Sequence, residues 1–178
     1  MTHDQSEAMA ISDRIAVMKK GRVLQVGTPN ELYMNPKSIF VAYFIGESDF
    51  LEGYISSVSR KGGVIELRGG VKVQVANSGK KSGERVVLAV RPETFVIERG
   101  VKKTKTSVLG IVEKVTFEGT NIRYEVRLEN QDLVVIVKPS LAEEWFNTGE
   151  NVTISFPPEK AHVFQYPSVG LKEEMTVE

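Results

Sequence analysis

The chain has 178 residues, 41% of them hydrophobic and 26% charged, which reads as one ordinary soluble domain or two small ones. Its 23 basic side chains balance 23 acidic ones, so it is not built mainly to neutralise phosphates, and the lack of cysteine excludes disulfides, thiolate metal sites and a cysteine nucleophile. No apolar run approaches the ~20 residues needed to cross a bilayer, and the polar, acidic N-terminus does not read as a secretory leader.

The first 46 residues have an α/β texture. Asp4 is placed to N-cap a short helix over Gln5 to Ile11, with Glu7 three residues on as a capping-box partner. Arg14 to Lys19 and Arg22 to Val26 read as two strands joined by a Lys20-Gly21 turn. Thr28-Pro29-Asn30-Glu31 is a helix start, with Thr28 as cap, Pro29 in the first position and Glu31 in the third. Asn35-Pro36 ends that helix. Ser38 caps the next, whose run Ile39, Phe40, Ala42, Tyr43, Phe44 and Ile45 is apolar nearly all round and must be buried.

From Leu51 the texture changes to short strands and Gly-rich turns. Candidates are Leu51–Val58, Val64–Leu67, Val71–Val75, Arg85–Val90, Leu109–Phe117, Ile122–Leu128, Leu133–Val137 and Val152–Phe156. This spacing predicts a mainly β fold, a barrel or sandwich. One helix is expected within it, over Ser140 to Phe146, with Ser140 and Glu143 as a capping box. The tail from Val169 is acidic and weakly patterned, and is expected to be mobile.

The β-rich part repeats itself. Gly53-x-Ile55-x-x-Val58 returns as Gly110-x-Val112-x-x-Val115. Gly83-Glu84-x-Val86-x-Leu88-x-x-x-Pro92-Glu93-x-x-x-Ile97 returns without a gap as Gly149-Glu150-x-Val152-x-Ile154-x-x-x-Pro158-Glu159-x-x-x-Val163. Five of these positions are identical and two are aliphatic swaps, in one register, which predicts two copies of one small barrel unit. The basic stretch Arg99 to Lys105 then reads as the linker or exposed loop between them.

Read together, Thr2-His3-Asp4, Glu7-Ala8, Asp13-Arg14-Ile15-Ala16-Val17-Met18, Gly27-Thr28-Pro29 and Phe40-Val41-Ala42 closely resemble the end of an ABC-transporter nucleotide-binding domain. The resemblance runs from Thr2 to Gly46 and is to importer ATPases of the maltose, spermidine/putrescine and ferric-iron type. Val90-Arg91-Pro92-Glu93, the Gly110 motif and His162-Val163-Phe164 resemble the transport-associated OB (TOBE) domain of the same subunits. The resemblance implies a division into residues 1–46, the last part of the nucleotide-binding domain, and residues 47–178, a TOBE domain of two OB-like halves. It implies that His3 is the switch histidine, donating a hydrogen bond to the ATP γ-phosphate. It further implies a homodimer, permease subunits as partners, and a place in the cytoplasm at the inner face of the plasma membrane, with polyamine as the foremost substrate.

The departures from that family are as informative. A phosphate loop is missing: in Gly79-Lys80-Lys81-Ser82 a lysine stands where Ser or Thr is required, and Gln74 holds the upstream glycine position. With the catalytic glutamate also absent, ATP and magnesium belong to a longer parent, and the chain alone is expected not to be an enzyme. Residues 1–46 should then be the rim of a larger domain, with Ile15, Val17, Leu24, Ile39, Phe40 and Phe44 stripped of partners and driving dimerisation. Glu143-Glu144 and Glu173-Glu174 read as solvated pairs, since adjacent helical residues do not face each other. His162 reads as a strand residue, with no metal site expected. The competing function is a free-standing OB module. It would bind single-stranded nucleic acid on Phe95, Phe117, Tyr124, Phe156 and Phe164, or a small oxyanion. Zero net charge speaks against the first, and the lack of a Ser-Ala-Arg-Asn opening against the second.

Overall fold

The computed structural model describes residues 5–102 and 107–177. His3 and Asp4 lie outside the described residues, as do Lys103–Thr106 of the basic stretch. The chain divides into two units: residues 1–48 with 166–178, and residues 49–165. Thus the boundary falls at Ser48/Asp49, and the C-terminal tail groups with the first unit.

In the first unit, α1 (Gln5–Ile11) precedes a hairpin of β1 (Ile15–Lys19) and β2 (Arg22–Gly27). α2 (Pro29–Met34) has the expected capping box: Glu31 N donates to Thr28 Oγ1 at 3.2 Å, and Thr28 N donates to Glu31 Oε2 at 2.8 Å. α3 (Ile39–Ile45) starts with Val41 N donating to Ser38 Oγ. The buried Gln25 side chain donates to Asn35 O and accepts from Lys37 N, tying β2 to the turn between the two helices.

Val17, Leu32, Phe40, Val41 and Ile45 form the core of this unit, with Phe40 stacked on Phe44 at 5.5 Å. The expectation of stripped side chains is therefore corrected for Val17, Ile39 and Phe40, which are 1–3% exposed. The unit supplies enough apolar surface of its own to cover them. Leu24 is exposed, together with Met18, Val23 and Val26, so the hairpin keeps an apolar surface. The tail carries α4 (Leu171–Glu174), where Lys19 and Lys20 pair with Glu174 and Glu173.

The second unit is two copies of one design. The first copy runs β3 (Asp49–Ser59), β4 (Gly62–Leu67), β5 (Lys72–Val75), β6 (Arg85–Val90), a 3-10 turn at Pro92–Thr94 and β7 (Val96–Arg99). The second runs β8 (Val108–Phe117), β9 (Asn121–Leu128), β10 (Leu133–Pro139), β11 (Asn151–Ser155), a 3-10 turn at Pro158–Lys160 and β12 (His162–Gln165). Both copies carry a bulge at the same place, between Ile55 and Ser57 and between Val112 and Lys114. Ile55 N donates to Glu84 O and Gly83 N to Ile55 O. Val112 N and Gly149 N repeat these bonds to Glu150 O and Val112 O.

The repeated glycines at the start of each copy have one cause. A Cβ on Gly53 would lie 2.6 Å from Glu66 O, and one on Gly110 would lie 2.7 Å from Val126 Cγ1. The neighbouring strand crosses too close for any side chain.

The copies are not strung as separate beads. Two five-stranded sheets run β12-β6-β3-β4-β5 and β10-β9-β8-β11-β7. Each sheet takes its fifth strand from the other copy, and in the same register. Ile97 of β7 lies opposite Ile154 of β11, and Val163 of β12 lies opposite Leu88 of β6. One continuous apolar core results, from Leu51 and Leu88 of the first copy to Ile136 and Ile154 of the second.

The helix expected over Ser140–Phe146 does not form. That stretch is an irregular loop opened by a turn, with Ala142 N donating to Pro139 O. Its local capping signal loses to tertiary anchors: Phe146 is buried edge-on against Tyr124 at 5.7 Å. Arg99 belongs to β7 and not to a linker.

Candidate functional site

Three features of the second unit place polar side chains together. The first is a clasp on the exchanged strand β7. Arg99 pairs with Glu150 at 2.6 Å and with Glu144 at 3.2 Å, donates to Trp145 O at 2.7 Å, and lies over the Phe146 ring at 5.3 Å. Hydrogen bonds from Asn147 and then Arg99 hold the Glu150 carboxyl below its ordinary range. Glu150, in turn, raises the Arg99 guanidinium. Gln165 holds the matching position on β12 and cannot make such ion pairs, so the clasp exists on one side only.

The second feature surrounds the other exchanged strand. His162 is half-buried on β12, opposite Ala89, with its ring 6.3 Å from that of Phe164. Burial, and next the charge of the buried Arg91, push its imidazole below the ordinary 6.5. Near the same end of the unit, Val135 N donates to Asp49 Oδ1 at 3.0 Å, and Lys138 Nζ donates to Phe95 O. Burial lowers the Lys138 ammonium, against the opposing pull of Glu93.

The third is a groove of about 620 Å³ between β3, β4 and β6, lined among others by Tyr54, Arg68 and the Glu52–Arg85 ion pair. Glu66 is paired with Lys72. The groove's carboxylates are therefore already matched by cations, and it holds no acid/base pair poised for chemistry.

The sequence candidates fall as follows. His3 is outside the described residues. Gly79–Ser82 lies in an irregular loop between β5 and β6, and no helix follows it to receive a phosphate. Among the described residues no group of three His, Asp or Glu could hold a metal. Glu144, Glu173 and Glu174 are ion-pair partners of Arg99, Lys20 and Lys19. Phe95, Tyr124 and Phe156 are core rings, 1–8% exposed, and cannot stack on bases. Sequence reasoning missed Arg99 as a functional cation, and its one signal was the mismatch with Gln165 across the repeat.

Residues 88–164 match the TOBE domain family. This chain carries a TOBE domain. The domain match begins at β6 and ends in β12, so it spans both exchanged strands. Around the TOBE domain, the likeness extends over nearly the whole chain. It is 35% identical over 165 residues to "Fe(3+) ions import ATP-binding protein FbpC" of Fusobacterium nucleatum, covering 92% of this chain and 43% of that protein. It is 39% identical over 163 residues to "Spermidine/putrescine import ATP-binding protein PotA" of Borrelia garinii, and 38% over 166 residues to PotA of Thermobifida fusca, with the same coverage of each. The chain spans less than half the length of these relatives. Its TOBE fold is also that of the cytoplasmic molybdate-binding protein ModG, with a TM-score of 0.58 at 14% identity, covering 66% of this chain and 95% of that one. The tandem OB-like architecture is the TOBE architecture, and the relatives are ATP-binding subunits of ABC importers. No described helix is long and apolar enough to cross a membrane.

Proposed function

We propose that the chain serves as the C-terminal regulatory and dimerisation part of an ABC-importer ATP-binding subunit. In that assembly, ATP hydrolysis on the nucleotide-binding body drives two permease subunits at the inner face of the membrane. The observation that carries this reading is the likeness over 92% of the chain to importer subunits of two cargo types. The apolar surface of the β1–β2 hairpin supports it, because Met18, Val23, Leu24 and Val26 are positioned for burial against further protein.

Polyamine is the cargo we favour, since spermidine/putrescine is named for two of the three relatives above. Within this reading His3 donates a hydrogen bond to the γ-phosphate of ATP, magnesium is held by residues beyond this chain, and the subunit works as a homodimer.

The test is an immunoblot of source-cell membranes with an antibody against residues 51–178. A band at more than twice the mass of this chain, co-fractionating with permease subunits, is expected. A band only at the chain's own mass, in the soluble fraction, overturns the proposal. His3→Ala in the longer subunit should then lower ATP hydrolysis at least about 100-fold, and unchanged hydrolysis removes His3 from the mechanism.

A further inference from the structure

The two copies provide an internal control. Features that both share serve the barrel, and a feature found in one copy alone does something else. The second copy carries such a feature: Phe117, at the end of β8, and Trp145, in the loop before β11, lie with ring centroids 6.2 Å apart. Both point into solvent, 62% and 50% exposed. In the register of the repeat, Phe117 corresponds to Arg60 of the first copy, so an aromatic ring is not needed there for folding. The loop before Gly149 is also longer than the one before Gly83, and the added length is what brings Trp145 in.

Trp145 is held outward and not merely left there. The next residue, Phe146, is buried on Tyr124, and the Trp145 carbonyl is bound by Arg99. A large ring on a pinned backbone loses little entropy on contact, the usual condition for an interface anchor.

The charges around the pair are acidic. Glu118 adjoins Phe117, Glu143 lies two residues before Trp145, and neither has an ion-pair partner among the described residues. The cations nearby are engaged: Lys114 with Glu125, Arg99 with Glu144 and Glu150, and Arg123 in contacts of its own.

We propose that Phe117 and Trp145 form a docking platform for a basic segment of a partner protein that inserts an apolar side chain between cations. The aromatic pair supplies the buried anchor, and Glu118 and Glu143 supply the complementary rim.

Trp145 is the only tryptophan, so the full chain reports on its own platform. A synthetic amphipathic Lys/Leu peptide and its Glu/Leu counterpart would be titrated while Trp emission is followed. A saturable blue shift with the Lys/Leu peptide only, weakened by salt, is expected. Phe117→Arg, which installs the first copy's residue at an exposed strand end, should weaken binding at least roughly tenfold. Its unchanged circular dichroism would show that it folds. Glu118→Gln with Glu143→Gln should weaken binding and flatten the salt dependence, whereas Arg85→Ala, in the other copy, should not. An equal response to both peptides, no response, or a blue shift that grows with protein concentration alone would overturn the proposal, the last by giving the face to a second copy.

Discussion

Gly69 and Asn130 occupy the same position of the two copies, and they touch. A Cβ placed on Gly69 would lie 3.2 Å from the Cβ of Asn130. Residues at one repeat position meet only where the axis relating the copies passes, so these two turns mark it. Asn130 is fixed there by its own turn, its side chain bonding to Asp132 at 2.8 and 3.1 Å.

Gly69→Ala should therefore be penalised twice. Its φ of +73° costs a side-chain-bearing residue about 1–2 kcal/mol, and the added methyl presses on a neighbour with little room to yield. Urea unfolding should show the loss. The same substitution at Gly79, also at positive φ but open to solvent, should cost less.

The exchanged strands predict one cooperative unit. Leu88→Ala in the first copy and Ile154→Ala in the second should each cost about 2–5 kcal/mol. Trp145 sits in the second copy, yet its fluorescence midpoint should move with Leu88→Ala as far as far-ultraviolet circular dichroism does. Two separate transitions would show that the copies unfold independently.

His162 gives the exchanged strand β12 a pH dependence. The folded protein holds this imidazole below the ordinary 6.5, so the unfolded chain binds the proton more readily. Stability is full above that value and falls as the pH drops below it. Between about pH 8 and about pH 5, short of the carboxylate range, the urea midpoint should decline. His162→Gln should flatten that decline, and an unaltered slope would assign it to other groups.

Arg99→Ala should act on order more than on stability, because the guanidinium itself is about half exposed. Released from the guanidinium, the loop carrying Trp145 should move more freely. Fluorescence anisotropy of Trp145 should fall while the urea midpoint shifts little. A Lys at this position can pair with one carboxylate but cannot span Glu144, Glu150 and the Trp145 carbonyl together, so it should restore the anisotropy only in part.

Much of this was legible in the residues. Thr28 and Glu31, Ser38, and the Gly83/Gly149 repeat announce local geometry, and local geometry is what they make. The exchange of β7 and β12 was not legible, for a physical reason. Val96–Arg99 is a four-residue strand facing a choice between two edges, one bearing Leu88 and the other Ile154, that are apolar in the same pattern. No preference of the strand itself separates them. Ser140–Phe146 shows the opposite failure. Its capping signal was clear, but Phe146 gains more by reaching Tyr124 than the loop gains from one helical turn. Arg99 stayed hidden because its partners lie far along the chain.

The exchange also sets an order of events when the chain is made from its N-terminus. The sheet built on β3 and β6 closes only with residues 162–165. Until those residues leave the ribosome, Val86–Ala89 presents an unpaired apolar edge, open to any passing strand. A stall or an early stop after the first copy would leave that edge bare, so the final strand of the second copy protects the first.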